Sequence, residues 1–88
     1  MMYKVAVAGT GYVGLVAGVC FAEKGQNVIC VDVDKDKIEK MKKGQAPIYE
    51  LDLEEMMRKN YKEGRINYTT DYQTAYKDGD FFFMGVGP

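Results

Sequence analysis

Short, mostly apolar segments alternate along this chain with segments whose apolar residues recur at helical spacing. The apolar segments predict four β-strands, at Tyr3–Ala8, Asn27–Val33, Arg65–Thr69 and Asp80–Val86. The first and fourth show no alternation of apolar and polar residues, which is typical of strands covered on both faces. We therefore expect the fourth strand, with its Phe81–Phe83 run, to be buried in the core.

Four helices are predicted between these strands. They fall at Tyr12–Lys24, from Asp34 to Gly44, at Leu51–Tyr61, and at Asp71–Lys77, where a turn is the alternative. Asp34 is well placed to cap the second helix with its carboxylate. In the first helix, the stripe expected to face the sheet consists of Val13, Val16, Ala17 and Cys20.

The alternation of strands and helices predicts an α/β fold with a parallel sheet and right-handed crossovers. We expect a partial Rossmann (doubly wound) fold, with four strands in the order 3-2-1-4 and helices flanking the sheet. The order of the strands reverses between strands 1 and 4. In such sheets a ligand crevice opens at that reversal, at the carboxyl ends of the strands.

A glycine motif lies at the end of the first strand, where Gly9, Gly11 and Gly14 form Gly-x-Gly-x-x-Gly directly before a helix. In dinucleotide-binding folds the first glycine permits a tight turn, the second lets a pyrophosphate approach the backbone, and the third allows close helix packing. Tyr12 either covers the pyrophosphate or simply flanks the loop. The loop has no lysine and is therefore not a Walker A loop. A glycine-rich turn without a ligand is the structural alternative.

The acidic residue Asp32 ends the second apolar run, eighteen residues after Gly14. A carboxylate there accepts hydrogen bonds from the adenosine ribose and repels a 2′-phosphate, which favours NAD over NADP. Asp32 could instead cap the next helix, but Asp34 is better placed. Lys35 and Lys37 would weaken the preference for NAD if they bound a 2′-phosphate. No arginine directly follows Asp32, and this argues against NADP.

The net charge, the length of the apolar runs and the two cysteines narrow the class of protein further. The formal net charge of −1 gives no electrostatic basis for binding nucleic acid or an anionic membrane. No apolar run approaches the ~20 residues of a membrane span. Cys20 and Cys30 match no metal or redox spacing, so we expect both in the core of a reduced, cytoplasmic protein. The sequence predicts no metal ligands and no catalytic residue.

Together these segments resemble the UDP-glucose/GDP-mannose dehydrogenase family. The distinctive part is Tyr12-Val13 inside the glycine motif of Val7–Leu15. Further matches follow in order along essentially the whole chain, at Val31–Asp34 with Lys37, Gly44–Glu50, Gly64–Ile66, Thr69–Asp71 and Gly85–Pro88.

The resemblance implies a two-step, four-electron oxidation in which the C6 alcohol of a sugar nucleotide becomes a carboxylate and two NAD+ are reduced. UDP-glucose, GDP-mannose and N-acetylated UDP-sugars stay open as substrates. The resemblance places Gly11, Tyr12, Val13 and Gly14 at the pyrophosphate, and Asp32 and Lys37 at the adenosine ribose. At the end of strand 4, Gly87 is expected to let the cofactor pass close to the backbone, with an ordinary turn as the alternative.

In this family the nucleophilic thiol and the sugar-nucleotide pocket come from sequence beyond Pro88. We therefore expect residues 1–88 to be the N-terminal part of an NAD-binding Rossmann domain, inactive alone. Two alternatives are an NAD-sensing module that regulates potassium transport and another NAD-dependent hydroxyacid or hydroxyacyl dehydrogenase. Gly11–Gly14 together with Pro47–Glu50 argues against both. An unpaired edge on strand 4 further predicts self-association into a homo-oligomer.

Overall fold

The computed structural model describes residues 3–9, 11–46, 52–77 and 79–84. The strands are β1 (Lys4–Ala8), β2 (Asn27–Val31), β3 (Ile66–Thr69) and β4 (Phe81–Met84). The helices are α1 (Tyr12–Glu23), α2 (Lys35–Lys42), α3 (Leu53–Lys62) and α4 (Tyr72–Lys77). Each predicted element is present. β2 ends at Val31, two residues earlier than expected, so that Asp32 lies just beyond the strand.

The four strands form one parallel sheet in the order β3-β2-β1-β4, which confirms the predicted order. Ala8 at the end of β1 pairs with Val31 of β2 on one side and with Met84 of β4 on the other. Val31 in turn pairs with Thr69 of β3. The carboxyl ends of all four strands therefore lie at one edge of the sheet.

Two apolar clusters cover opposite faces of the sheet, because successive side chains of a strand point to opposite sides. The larger cluster joins β1, β2 and β3 to α1, α2 and α3, and its members include Val7, Leu15, Val19, Cys30, Ile38, Met57 and Ile66. The smaller cluster packs Ala75 of α4 against Ala8 and Val31. The three longer helices thus share one face, and the short α4 lies on the other.

The side of α1 that faces the sheet differs from the predicted one. Val13 is 62% exposed and Cys20 is also exposed, so the predicted stripe was wrong. Because α1 is apolar on nearly every side, apolar spacing could not select the buried face. The structure turns Gly18 toward the sheet, which lets the helix backbone approach closely. The buried side chains of α1 are Leu15, Val19 and Ala22.

The predicted burial of β4 was also wrong. Phe81 and Phe82 are each 54% exposed. Phe81 meets Tyr3 edge-on at 5.1 Å between ring centroids, and Phe82 meets Tyr76 at 5.1 Å. β4 is the last strand in the order, and the rings of Tyr3 and Tyr76 alone do not cover both of its faces. Phe83 is better covered because it packs on Phe21 of α1.

A buried polar cluster connects α1, α3 and the start of β3. The side chain of Asn60 is fully buried and donates hydrogen bonds to the Met56 carbonyl at 2.8 Å and to Glu23 Oε1 at 2.9 Å. Its Oδ1 accepts a hydrogen bond from Arg65 Nε at 2.8 Å. Hydrogen bonds from Lys59 and then Asn60 hold the pKa of Glu23 below its usual value. Asn60 therefore connects two helices to the chain that enters β3.

Candidate cofactor-binding site

The turn that leaves β1 brings the chain directly into α1. Gly9 has a φ of 85°, in the left-handed region that glycine adopts most easily. This geometry confirms the tight turn expected at Gly9. Its N–H donates a hydrogen bond to the Val31 carbonyl at 2.9 Å, which joins the turn to the end of β2. Gly11 is the N-cap residue of α1 and is extended, with φ −68° and ψ −173°.

Space is open in front of Gly11. Apart from its chain neighbours, a Cβ atom added there would meet no atom of the described residues within 4 Å. Among the described residues, no side chain caps the N-terminus of α1, and its first turn carries no acidic residue. The first amides of a helix have no partner within it, so these N–H groups are available to a ligand. Backbone donors and the positive end of the helix dipole make such a position suitable for a phosphate group.

The N-termini of α2 and α3 differ from that of α1 in charge. α2 begins at Asp34, whose Oδ1 accepts a hydrogen bond from the Lys37 N–H at 3.1 Å, and Asp36 lies in its first turn. This confirms the predicted cap. α3 has Glu54 and Glu55 in its first turn. Acidic side chains therefore already compensate the partial positive charge at the N-termini of α2 and α3. The described first turn of α1 has no acidic side chain.

Asp32 lies beside the glycine turn, at the carboxyl end of β2. It is only 9% exposed, and its N–H donates to the Thr69 carbonyl at 3.2 Å. Its Oδ1 accepts a hydrogen bond from the Asp34 N–H at 3.0 Å. Its Oδ2 lies 3.5 Å from Lys37 Nζ. A carboxylate oxygen can accept more than one hydrogen bond, so a ribose hydroxyl could still bind here.

Asp32, Asp34 and Lys37 form a closed ring of contacts. The Asp34 N–H holds Asp32, the Asp34 carboxylate holds the Lys37 N–H, and the Lys37 ammonium returns to Asp32. We call this the 32–34–37 ring. It fixes the carboxylate of Asp32 relative to the first turn of α2.

A cavity of about 260 Å³ adjoins the 32–34–37 ring. Lys37, whose side chain is 30% exposed, contributes to its wall. The sequence had not indicated Lys40 or Gln45 as neighbours of this site. The spacing of Lys40 from Lys37 was the available signal, because residues three apart share one face of a helix. The other lining residues are Asp34, Asp36, Lys40, Gln45 and Ala46.

The remaining predicted cofactor residues are distributed as follows. Val13 is exposed in the first turn of α1, and Gly14 beside it is buried. Tyr12 begins α1, but its side chain lies outside the described part of the chain. Gly87 also lies outside the described residues. The structure therefore brings Gly9, Gly11, Val13, Gly14, Asp32 and Lys37 to one end of the sheet.

The two cysteines occupy different environments. Cys30 is fully buried in β2, as expected, and burial raises the pKa of its thiol to about 12. Cys20 is exposed on α1, so its predicted place in the core was wrong. Both thiols are free of disulfides.

The described ranges contain neither a metal centre nor a membrane-spanning helix. In residues 3–9, 11–46, 52–77 and 79–84, His, Cys, Asp and Glu side chains nowhere gather in a group of three that could hold a metal ion. No helix in that part of the chain is both long enough and apolar enough to cross a membrane.

The sheet order, the open glycine turn and the acid after β2 define a dinucleotide-binding domain of the Rossmann class. Residues 3–88 match the model of the UDP-glucose/GDP-mannose dehydrogenase family, NAD binding domain. The chain belongs to this family and corresponds to its NAD-binding domain. Membership in this family decides against the two alternatives, a potassium-transport module and a hydroxyacid or hydroxyacyl dehydrogenase.

Individual relatives agree with this assignment. The chain is 49% identical over 84 residues to UDP-glucose 6-dehydrogenase YwqF of Bacillus subtilis, a match that covers 96% of this chain and 19% of the relative. It is 38% identical over 84 residues to GDP-mannose 6-dehydrogenase of Pseudomonas aeruginosa, again over 96% of this chain and 19% of the relative. The chain thus spans about a fifth of the length of the curated relatives it matches.

Solved structures match the fold closely. A UDP-glucose dehydrogenase from the archaeon Pyrobaculum islandicum superposes with a TM-score of 0.92 at 34% identity, over 99% of this chain and 20% of that one. A GDP-mannose dehydrogenase from Pseudomonas aeruginosa, solved as a ternary complex, gives 0.90 at 38% identity, over 94% of this chain and 19% of that one.

Proposed function

We propose that this chain holds the adenosine diphosphate half of NAD within a nucleotide-sugar dehydrogenase. The activity that we propose for this dehydrogenase is oxidation of UDP-glucose to UDP-glucuronate with two NAD+ as oxidants. Two bacterial UDP-glucose 6-dehydrogenases, from Bacillus subtilis and Rhizobium meliloti, are each 49% identical to the chain, and this supports the choice of substrate. In this proposal, residues 1–88 are the N-terminal part of the NAD-binding domain.

One observation carries the cofactor assignment. The hydrogen bond from Gly9 N–H to the Val31 carbonyl, 2.9 Å long, joins the glycine turn to the end of β2, directly before Asp32. The groups that we propose as phosphate donors and as ribose acceptor therefore follow neighbouring strands at one edge of the sheet, which supports a dinucleotide ligand. The residues available for the pyrophosphate are Gly9, Gly11, Tyr12, Val13 and Gly14, and Gly87 is proposed to approach the cofactor from β4.

The adenosine ribose is assigned to Asp32 and Lys37. The Asp32 carboxylate would accept hydrogen bonds from the ribose hydroxyls, and its negative charge would oppose a 2′-phosphate. Lys37 lies beside that carboxylate and can donate to a hydroxyl oxygen. NAD, when bound, supplies the hydride acceptor for the oxidation.

The oxidation itself is assigned to other parts of a longer protein. Four electrons leave the alcohol as two hydride equivalents, and water supplies the second carboxylate oxygen. Neither described cysteine suits a nucleophile at this site. Cys30 is fully buried, and its raised pKa of about 12 keeps the thiol protonated at neutral pH. Cys20 lies on α1 outside the glycine turn.

Assembly and location are part of the same proposal. The rings of Phe81 and Phe82 on β4 are each 54% exposed and favour burial against other protein. We propose that the longer protein is a homo-oligomer. We propose a cytoplasmic location because Cys20 and Cys30 are free thiols, which are typical of reducing compartments.

Calorimetric titration of the chain with NAD+ tests the cofactor assignment. A Gly11→Val variant would fill the open space in front of the turn, and we expect it to weaken NAD+ binding at least about tenfold. Lys62→Ala, at the exposed end of α3 away from the turn, is the control and should bind like the unmodified chain. Equal affinity in the Gly11→Val variant, with its fold verified by circular dichroism, would contradict the assignment.

The oxidation is tested separately by following NADH absorbance with NAD+ and UDP-glucose. We expect the 88-residue chain to form no NADH, because the proposed catalytic thiol is not among its residues. Steady turnover by this chain would overturn that part of the proposal without affecting the cofactor assignment.

A further inference from the structure

We propose that the Asp32–Lys37 pair acts as a unit in choosing between NAD and NADP. In this view Asp32 both binds the ribose and neutralises a cation that would otherwise attract a 2′-phosphate. Lys37 is then a specificity-determining residue whose affinity for phosphate is masked by its neighbour. The proposal rests on the proposed function, since it presumes that adenosine ribose binds at Asp32.

The geometry of the 32–34–37 ring supports a masked cation. The Lys37 ammonium lies 3.5 Å from Asp32 Oδ2, and both side chains are largely buried, with 30% and 12% exposed. Partial burial weakens solvent screening and strengthens this attraction relative to a surface pair. The ammonium is therefore held beside the group expected to bind the 2′-hydroxyl of the ribose.

Lys37 does not depend on Asp32 for its position in the backbone. Its N–H donates to Asp34 Oδ1 at 3.1 Å, which fixes it in the first turn of α2. Asparagine at position 32 would keep an oxygen able to accept the Asp34 N–H hydrogen bond, now 3.0 Å long. Asp32→Asn therefore removes the negative charge while leaving Lys37 in reach of the same ribose position.

The surrounding charges set the size of the expected effect. Lys40 lines the same cavity as Lys37 and adds a second cation one helical turn further along. Asp34 and Asp36 also line it and oppose a phosphate. The Asp34 carboxylate is engaged by the Lys37 N–H in the cap. Because these acids remain in the variant, we expect relaxed discrimination with Asp32→Asn rather than a complete preference for NADP.

A double-mutant cycle tests the proposal by calorimetry. The four proteins are the unmodified chain, Asp32→Asn, Lys37→Met and the double variant. Adenosine 5′-monophosphate and adenosine 2′,5′-bisphosphate are the probes, because they differ only in the 2′-phosphate and need no nicotinamide site. The quantity compared is the ratio of their dissociation constants, with NAD+ and NADP+ as a second pair.

We expect Asp32→Asn to change this ratio by about tenfold or more in favour of the probe with the 2′-phosphate. A change of that size corresponds to one charge-assisted hydrogen bond. The shift should be only a few-fold in the double variant, where no ammonium is present. Lys37→Met alone should increase discrimination against the 2′-phosphate, because the cation beside the Asp32 carboxylate is then removed. A purely structural role for Lys37 would lower the affinities for both probes together and leave the ratio unchanged.

Equal ratios in Asp32→Asn and in the double variant would overturn the proposal, as would an unchanged ratio in Lys37→Met. If Asp32→Asn fails to fold by circular dichroism, the Lys37→Met comparison still decides. Failure of the proposed function would look different, since the unmodified chain would then bind neither adenosine 5′-monophosphate nor NAD+.

Discussion

Gly18 of α1 lies so close to Cys30 of β2 that a Cβ atom added to the glycine would be 3.1 Å from the sulfur. The same atom would lie 3.4 Å from Val28 Cγ1 and 3.6 Å from Val7 Cγ2. The backbone of α1 therefore packs almost directly on β1 and β2. This close packing also fixes the distance of the N-terminus of α1 from the carboxyl ends of the strands.

We expect Gly18→Ala to destabilise the fold by about 1–3 kcal/mol, because the added methyl group overpacks a dense interface. The sign of this change tests the packing, because without a close neighbour alanine is favoured over glycine in a helix by about 1 kcal/mol. Urea unfolding followed by circular dichroism measures the change. In a Cys30→Ala background the sulfur is gone, and the same substitution should cost less. A stabilising Gly18→Ala in the native background would show that the helix is further from the sheet.

The buried thiol of Cys30 predicts selective labelling and an alkaline loss of stability. Its pKa is raised from 9.0 to about 12 in the folded chain, so only the unfolded chain loses this proton between those values. Stability should therefore fall as pH rises from about 9 toward 12. Burial raises the pKa of Tyr68 in the same direction and adds to the loss at high pH.

A disulfide reagent at pH 8 measures the difference between the two thiols. We expect the exposed Cys20 to react quickly and Cys30 to react only on unfolding. A Cys20→Ser variant is the control and should show no fast reaction. Rapid labelling of that variant would mean that Cys30 is accessible in the native chain.

Asn60 should be the most costly polar residue to replace. Asn60→Leu keeps a similar volume but removes the hydrogen bonds to Glu23, Met56 and Arg65. Each such bond contributes about 1 kcal/mol, so we expect a loss of about 3 kcal/mol in the free energy of unfolding. Glu39→Gln breaks only an exposed ion pair with Lys42 and should change stability by less than about 0.5 kcal/mol. Similar costs for the two variants would contradict the importance of the buried cluster.

Asp34→Ala is expected to have two effects at once. Loss of the N-cap should cost about 1 kcal/mol of stability in thermal or urea unfolding. It should also weaken NAD+ binding several-fold, because Lys37 and α2 are then held less firmly beside Asp32. Asp71→Ala removes the comparable cap of α4, which holds the Gln73 and Thr74 N–H groups. That control should lower stability and leave NAD+ affinity unchanged.

The order of elements could be predicted from the sequence because each signal is local. Gly9 and Asp34 act within their own turns, and both had the predicted conformations. The buried face of α1 could not be predicted, because Val13 and Val19 are equally apolar and only the contacts of Gly18 decide between them. Similarly, the exposure of Phe81 depends on which elements lie over β4, and its own sequence does not contain that information.

The candidate site was predictable to a similar extent. Asp32 and the glycine turn could be proposed because motif and spacing are sufficient for a dinucleotide fold. The 32–34–37 ring was not predictable as a unit. It depends on β2 ending at Val31, before its expected end, which frees the Asp34 N–H to turn back onto Asp32.

The position of the cofactor is tested most directly by ¹⁵N–¹H correlation spectra of the labelled chain during titration with NAD+. We predict saturable shifts concentrated in the amides of Gly9, Gly11–Gly14 and Asp32–Lys37, with smaller changes near Asn60 at the opposite end of the sheet. NADP+ should require higher concentrations to shift the same amides. An NAD+ titration that leaves the glycine turn unmoved, or that moves the Asn60 end instead, would contradict the proposed site.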